Sequence, residues 1–148
     1  MKPILQAIVL AERIYEDKSN KKIIAGTFNQ INIGQVPLVQ IQAPDGTIKT
    51  GLPGGTDPGC PVLYISLTDV VDGTELTLQF VNMSKNITIF QTGLRINSTN
   101  RLATVEIVAP LPPMAVLGRE HGDFSLDILW NGEIIGSHRL LVRHSGQT

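Results

Sequence analysis

The stretch from Asp123 to Arg143 constrains this chain more than any other. Large apolar residues alternate with smaller or polar ones up to an Asn131-Gly132 pair, and the alternation then resumes. The apolar residues before the pair are Phe124, Leu126, Ile128 and Trp130. A period of two places them on one face of a strand, and Asn-Gly tolerates the two positive φ angles of a type I′ turn. The stretch therefore predicts a β-hairpin in an all-β domain.

The rest of the chain also has the pattern of strands. Short β-branched and apolar runs recur about every ten residues, which is typical of a sandwich or barrel. No window carries apolar residues convincingly at the i, i+3, i+4, i+7 positions of an amphipathic helix. The predicted strands, about eight in number, cover residues 3–15, 22–33, 62–69, 74–82, 87–95, 102–109, 123–130 and 133–143.

The alternation within each strand predicts which side chains form the core. Besides the four residues of the hairpin, these are Ile24, Phe28, Leu63, Ile65, Leu67, Leu76, Leu78, Phe80, Val105, Ile107, Leu140 and Val142. The opposite faces carry polar residues that we expect in solvent, namely Thr77, Gln79, Asp127, Arg139 and Arg143. Two stretches, Ile4 to Leu10 and Ile87 to Phe90, are apolar at both odd and even positions, and therefore on both faces of the strand. They are either central and covered or part of an interface.

Length and charge narrow the possible functions. The 148 residues fit one domain, here taken as residues 1–148. Twelve basic and 13 acidic residues, without a block of like charge, argue against binding to nucleic acid or to an anionic membrane. The single cysteine, Cys60, cannot form an intramolecular disulfide, so a reducing compartment is permitted. Gln6 interrupts the N-terminal apolar run and Glu12-Arg13 follow it, which indicates a strand rather than a signal peptide.

Two long segments do not fit a simple meander. Residues 38–60 read as an insertion, with a hairpin that turns at Pro44-Asp45-Gly46 and then a Gly- and Pro-rich run. The second segment spans residues 110–122. An even number of chain reversals separates the two, so we expect them at the same end of the sandwich, where binding loops usually lie. The candidate binding residues of this loop end are Asp57, Cys60, Arg119 and His121.

Two groups of residues offer metal-ligand side chains. His121 with Glu120, Asp123 and His144 offers metal-ligand types, but their spacing matches no metal motif. Asp69 and Asp72, which we place near Asp17, offer the oxygen ligands that calcium prefers, although Asp-Gly also suits a plain turn. We predict neither a metal nor a cofactor.

Nucleophilic and phosphate chemistry have weaker support. Cys60 with His121 would need a third, orienting group, and Cys60 lies between Gly59 and Pro61 in a loop. The run from Gly51 to Gly59 could form an anion-binding nest, but it lacks the Gly-Lys-[Ser/Thr] ending of a phosphate loop. We therefore predict no catalytic residue.

Five segments together resemble a family of small bacterial β-sandwich domains of unknown function. The segments are Lys22 to Ile31, Val36-Pro37, Leu63 to Asp69, Pro110 to Pro113 and Gly122 to Val142. Members of that family typically run Gly-Lys-x-x-Ile-Ile-Gly-x-Phe-Asp-x-Ile, then Phe-Pro, a meander and a closing Gly-x-Tyr hairpin. This chain departs from the pattern at Asn20-Lys21-Lys22, at Phe124 and in the insertion.

The resemblance implies an immunoglobulin-like or C2-like antiparallel β-sandwich from the bacterial cytoplasm, and it carries no catalytic residues. We therefore expect a non-enzymatic interaction or assembly module that binds a protein partner or associates with itself. The alternative is a small-ligand- or metal-binding protein, possibly an enzyme, that uses the long loops. A pocket holding His121 with Asp57 or Cys60 would favour that alternative.

Overall fold

The computed structural model describes residues 2–33, 39–42, 44–51 and 60–144. The first strands are β1 (Ile4–Glu16), β2 (Lys22–Thr27), β3 (Gln30–Ile33), β4 (Val39–Gln42) and β5 (Ile48–Gly51). They are followed by β6 (Val62–Thr68), β7 (Thr74–Asn82), β8 (Ile87–Ile96), β9 (Val105–Pro110), a single turn of helix α1 (Met114–Leu117), β10 (Gly122–Trp130) and β11 (Glu133–His144). Among the described residues, no helix is long and apolar enough to cross a membrane.

Two sheets form an immunoglobulin-like β-sandwich. The four-stranded sheet has the order β2-β1-β6-β9, and the five-stranded sheet has the order β3-β11-β10-β7-β8. Neighbouring strands of both sheets are antiparallel, except that β3 runs parallel to β11. Strands β4 and β5 pair with each other in a separate two-stranded sheet. The fold class expected from the alternation is confirmed.

The strand predicted over residues 22–33 is wrong in one respect, because the structure divides it between the two sheets. Phe28 N still donates to Leu10 O in the four-stranded sheet, whereas Asn29 O accepts from Leu141 N in the five-stranded sheet. The chain thus changes sheet between two adjacent residues. Apolar and polar positions continue on both sides of the break, so the periodicity contains no sign of it.

The closing hairpin has the predicted turn and one irregularity. Asn131 and Gly132 have φ angles of 49° and 78°, as a type I′ turn requires. Trp130 pairs with Glu133, but the register shifts by one residue between Ile128 and Leu129. This β-bulge on β11 reverses the parity of the strand relative to the turn, and that reversal turns Leu140 and Val142 inward.

The core lies between the two sheets and agrees with most of the predicted positions. Phe80 stacks on Phe124 with ring centroids 4.9 Å apart and packs against Phe90 at 5.5 Å. Trp130, at the end of β10, is only half-buried. Phe28, Val105 and Ile107 are likewise packed at the margin of the core. The fully buried predicted positions are Leu63, Ile65, Leu67, Leu76, Leu78, Phe80, Leu126, Ile128, Leu140 and Val142.

Candidate functional site

The loop end of the sandwich is where β6 and β10 begin and β9 and β11 end. Val62 pairs with Pro110, and Leu111 N donates to Pro61 O at 2.9 Å. Across the sandwich, Gly122 pairs with Val142. The chain before β6 and the chain between β9 and β10 therefore leave the sandwich at the same end, as the count of reversals predicted.

The predicted binding residues are distributed as follows at this end. Asp57 lies outside the described residues. Cys60 is exposed at the start of β6, and Arg119 and His121 are exposed in the loop that follows α1. Among the described residues, no hydrogen bond or ion pair joins Cys60, Arg119 and His121 to one another. Their shared role in binding stays a prediction.

Arg119 lies instead at a small cavity beside β8. The cavity has a volume of about 150 Å³ and is mainly apolar, with Glu120 as the other charged residue of its lining. Its apolar lining consists of Phe80, Ile89, Val116, Leu117 and Phe124. Typical ligand pockets measure about 300–1,000 Å³. This cavity could accept one apolar side chain, but it is too small for most metabolites.

The metal hypothesis at His121 is not supported by the arrangement of its candidate ligands. Glu120 accepts hydrogen bonds from Asn82 Nδ2 at 3.4 Å and from Lys85 Nζ at 3.3 Å. His144 Nε2 lies 2.8 Å from Gly118 O, which can only accept, so this nitrogen carries a proton and is not a free ligand. The His121 ring meets the His144 ring edge-on at 6.0 Å. Within the part of the chain that the structure describes, no three such side chains cluster as metal ligands.

The calcium hypothesis fails because its aspartates lie far apart. Asp17 is in the β1–β2 turn, where its Oδ1 accepts from Ser19 N and Lys21 N. Asp69 and Asp72 follow β6, at the other end of the 13-residue strand β1, because Thr68 pairs with Ile4. The antiparallel pairing of β1 with β6 separates the two turns, and the expected proximity of Asp17 to Asp69 was wrong.

The outer face of the five-stranded sheet is polar, but its centre is not solvated as expected. Asp127 is only 7% exposed. Its Oδ1 accepts from Ser125 Oγ and from Ser137 Oγ, each at 2.6 Å, and Gln79 Nε2 lies 3.4 Å from its Oδ2. A buried carboxylate needs such donors to offset the loss of water. The cluster joins β7, β10 and β11 and has the geometry of a structural element.

The outer face of the four-stranded sheet carries several exposed apolar side chains. We call this surface the apolar outer face. It includes Ile4, Val9, Tyr15, Ile23, Val62 and Val108, which the strand register places on one side of the sheet. Tyr15 and Ile23 are paired across β1 and β2, and each is 49% exposed. Tyr64 donates a hydrogen bond to the Glu106 carboxylate on this face, and that bond raises the pKa of Tyr64.

The edge strands of the two sheets differ in how they are protected. Proteins usually protect an edge with charge, proline, a β-bulge or short length. β2 begins with Lys22, which pairs with Glu16, and it contains Gly26 at a φ of 72°. β9 carries Glu106 and ends at Pro110, and β3 has only four residues.

β8 has fewer of these protections, because its one β-bulge lies near its N-terminal end, at Ile89. It is ten residues long and has no lysine or proline. Its one charged residue is Arg95, whose Nη1 lies 3.8 Å from Oε1 of Glu75 on the neighbouring strand β7. Ile87 and Ile89 are 51% and 45% exposed. Among the described edges, β8 is the longest without a proline or a left-handed glycine.

Comparison with known proteins gives limited information. No family model matches the chain, and no curated protein matches it significantly. Among solved structures, it is similar to an immunoglobulin-like protein from Pseudomonas aeruginosa. That likeness has 11% identity and a TM-score of 0.47, and it covers 97% of this chain and 98% of the other. Membership of the bacterial family with the Gly-Lys-x-x-Ile-Ile-Gly-x-Phe motif stays a prediction.

Proposed function

We propose that this chain is a non-enzymatic interaction or assembly module that works in the cytoplasm. The observation that carries the proposal is the apolar outer face, where Tyr15, Ile23 and Val108 stand exposed on one side of the four-stranded sheet. Contiguous apolar surface is costly in water, and it marks protein interaction sites when polar residues surround it. The function is then to present this sheet face to a protein partner.

The charges around this face are compatible with such a role. Lys22 and Glu16 form an ion pair at 3.1 Å at the far end of β1 and β2. Arg13 lies between Val9 and Tyr15 in sequence, and its position on the same side of β1 places a cation within the face. Interfaces combine apolar contacts with charged residues, among which arginine is enriched.

The alternative function is ligand binding at the loop end. The cavity beside Arg119 favours it, because a mainly apolar lining with two charged residues could hold and orient a small group. Its volume of about 150 Å³ argues for the end of a peptide side chain rather than for a whole substrate. The apolar outer face exposes four large apolar side chains and the cavity lining two, so we place the primary function on the outer face.

The proposal can be tested by chemical cross-linking of the full-length chain in extracts of the source cells. The test variant is Ile23→Lys with Val108→Lys, which charges the apolar outer face. The control is Gln30→Lys with Asn32→Lys, which adds the same two charges to the exposed β3 edge. A partner held by the apolar outer face should be lost from the test variant and retained by the control.

Two outcomes would contradict the proposal. If the charged variant retains every cross-linked partner, the apolar outer face is not the binding surface. If Arg119→Glu abolishes capture while the charged face does not, the loop end is the functional site and the alternative is correct.

A further inference from the structure

We propose that β8 is a self-association edge, through which two copies of this chain pair antiparallel so that their five-stranded sheets become one continuous sheet. This inference rests on the proposed function, since it names a second copy of the chain as one of the partners of the module. It uses a surface other than the apolar outer face, so an edge-paired dimer would leave both apolar outer faces free.

The backbone of β8 offers a regular row of unpaired groups at its open edge. Ile96 O accepts from Gly73 N at 2.9 Å, so the backbone of Ile96 is directed toward β7. In an antiparallel ladder, successive residues direct their N–H and C=O groups to alternate sides. The groups of Gln91, Gly93 and Arg95 therefore point away from β7. These residues are all exposed, which leaves their backbone groups accessible to another strand.

The side chains of β8 complement themselves about a two-fold axis at Thr92. Antiparallel pairing about this axis sets Phe90 of one copy opposite Leu94 of the other, on the inner face where both are half-buried. Gln91 is then opposite Gly93, whose neighbourhood has room for a Cβ. Aromatic–aliphatic pairs opposite each other stabilise a sheet.

Charge favours a second copy over an unrelated strand. In the proposed register Arg95 faces the uncharged bulge at Ile89 of the other copy, so no like charges meet across the axis. Arg95 already lies near Glu75 within its own sheet, which leaves no free charge on β8 to select an oppositely charged foreign strand. An isologous pairing needs only that the strand fit itself, and β8 satisfies this condition.

A cysteine cross-link tests both the surface and the register. Thr92 opposite itself would be a pair without mutual hydrogen bonds, with Cα atoms about 4.5 Å apart, which is within disulfide range. Thr92→Cys in a Cys60→Ser background should therefore form a disulfide-linked dimer on mild oxidation. The matched control, Thr88→Cys in the same background, lies beyond the bulge and away from the two-fold axis, so it should remain largely monomeric.

Sedimentation of the full chain supplies an independent readout. The unmodified protein should sediment as two chains at micromolar concentration, and Thr92→Lys, which brings two ammonium groups together on the axis, should raise the dimer Kd about tenfold or more. Gln91→Pro, which removes an outward N–H, should have the same effect. Near-ultraviolet circular dichroism must show that each variant is folded, and Asn32→Lys should leave the Kd unchanged.

The possible failures of the two proposals can be told apart. A monomeric wild-type chain, or equal cross-linking at Thr92 and Thr88, overturns the β8 pairing but leaves partner binding by the apolar outer face intact. A dimer that is broken by Ile23→Lys with Val108→Lys, and not by Thr92→Lys, also overturns it. Cross-linking specific to Thr92 supports pairing through β8. If Ile23→Lys with Val108→Lys also retains every partner, the proposed function is contradicted.

Discussion

Leu5 of β1 packs directly against Gly136 of β11, and this contact sets how closely the two sheets approach there. A Cβ at position 136 would lie 2.0 Å from Leu5 Cδ2 and 3.4 Å from Leu5 Cγ. Gly136 faces inward because the bulge in β11 pairs it with the buried Ile128. The residue opposite Leu5 must therefore lack a side chain, or Leu5 must move.

Gly136→Ala should lower the free energy of unfolding by about 1–3 kcal/mol, the usual cost of adding a methyl group to a packed site. Urea denaturation followed by tryptophan fluorescence measures the change. Gly93→Ala is the control, because nothing lies within 4 Å of a Cβ there. Combining Gly136→Ala with Leu5→Ala should recover part of the loss due to the clash. A Gly136→Ala chain as stable as the control would show that Leu5 adapts without cost.

Asp127→Ala should destabilise the fold by about 1–3 kcal/mol, because it leaves two serine hydroxyls without their buried acceptor. Asp127→Asn keeps one acceptor oxygen, so its loss should be smaller. Asp123→Ala, on the same strand but exposed, should change stability by less than about 0.5 kcal/mol. Thermal and urea unfolding of the three variants give the comparison. Equal stability of the Asp127 and Asp123 variants would contradict a structural role for the cluster.

Trp130→Ala should cost less than Phe80→Ala, although both residues belong to the predicted core. Phe80 is fully buried and contacts two other aromatic rings, so its truncation should cost about 3–5 kcal/mol. Trp130 is half-buried beside the turn and loses less contact on truncation. Equilibrium unfolding monitored by far-ultraviolet circular dichroism avoids dependence on the tryptophan signal. A larger loss at Trp130 would restore the sequence-based assignment.

Tyr64 should ionise above the ordinary tyrosine pKa of 10.0, because its hydroxyl donates to the Glu106 carboxylate and the bond is lost in tyrosinate. A pKa that is raised in the folded state stabilises the protein fully below the unfolded pKa. That contribution is lost as pH rises through the folded pKa. Ultraviolet titration of tyrosinate should show a late-ionising group that disappears in Tyr64→Phe and shifts down in Glu106→Gln. A Glu106→Gln titration identical to wild type would exclude the carboxylate as the cause.

Deleting residues 38–60 and joining the flanks should leave the sandwich folded. β4 and β5 pair with each other, while the strand register of both larger sheets is complete without them. The one-dimensional NMR spectrum should keep its dispersed amide and methyl signals. A collapsed spectrum would show that this segment supports the core, and that its description as an insertion is wrong.

Alternation alone predicted the all-β class, the hairpin turn and most of the core. It succeeds there because the side-chain period of a strand is two, and one face of each sheet must leave water. The bulge in β11 could also have been found in this way. The predicted core takes Phe124 from β10 and Leu140 from β11, yet a two-residue turn from Trp130 to Glu133 pairs even with odd positions. Phe124 and Leu140 can both face the core only if one of the two strands contains one extra residue, which is the bulge.

The tertiary structure decided what local pattern could not express. Phe28 and Asn29 are adjacent in sequence, but their backbones bond to different sheets, because the partners Leu10 and Leu141 are distant along the chain. The bulge at β11 brings Ser137 opposite Asp127, and that pairing lets a carboxylate assigned to solvent lie buried. The sequence by itself determined which faces are apolar. Only the assembled sheets decided which face is covered and which strands, β8 among them, lie at an edge, because both depend on neighbours far apart in sequence.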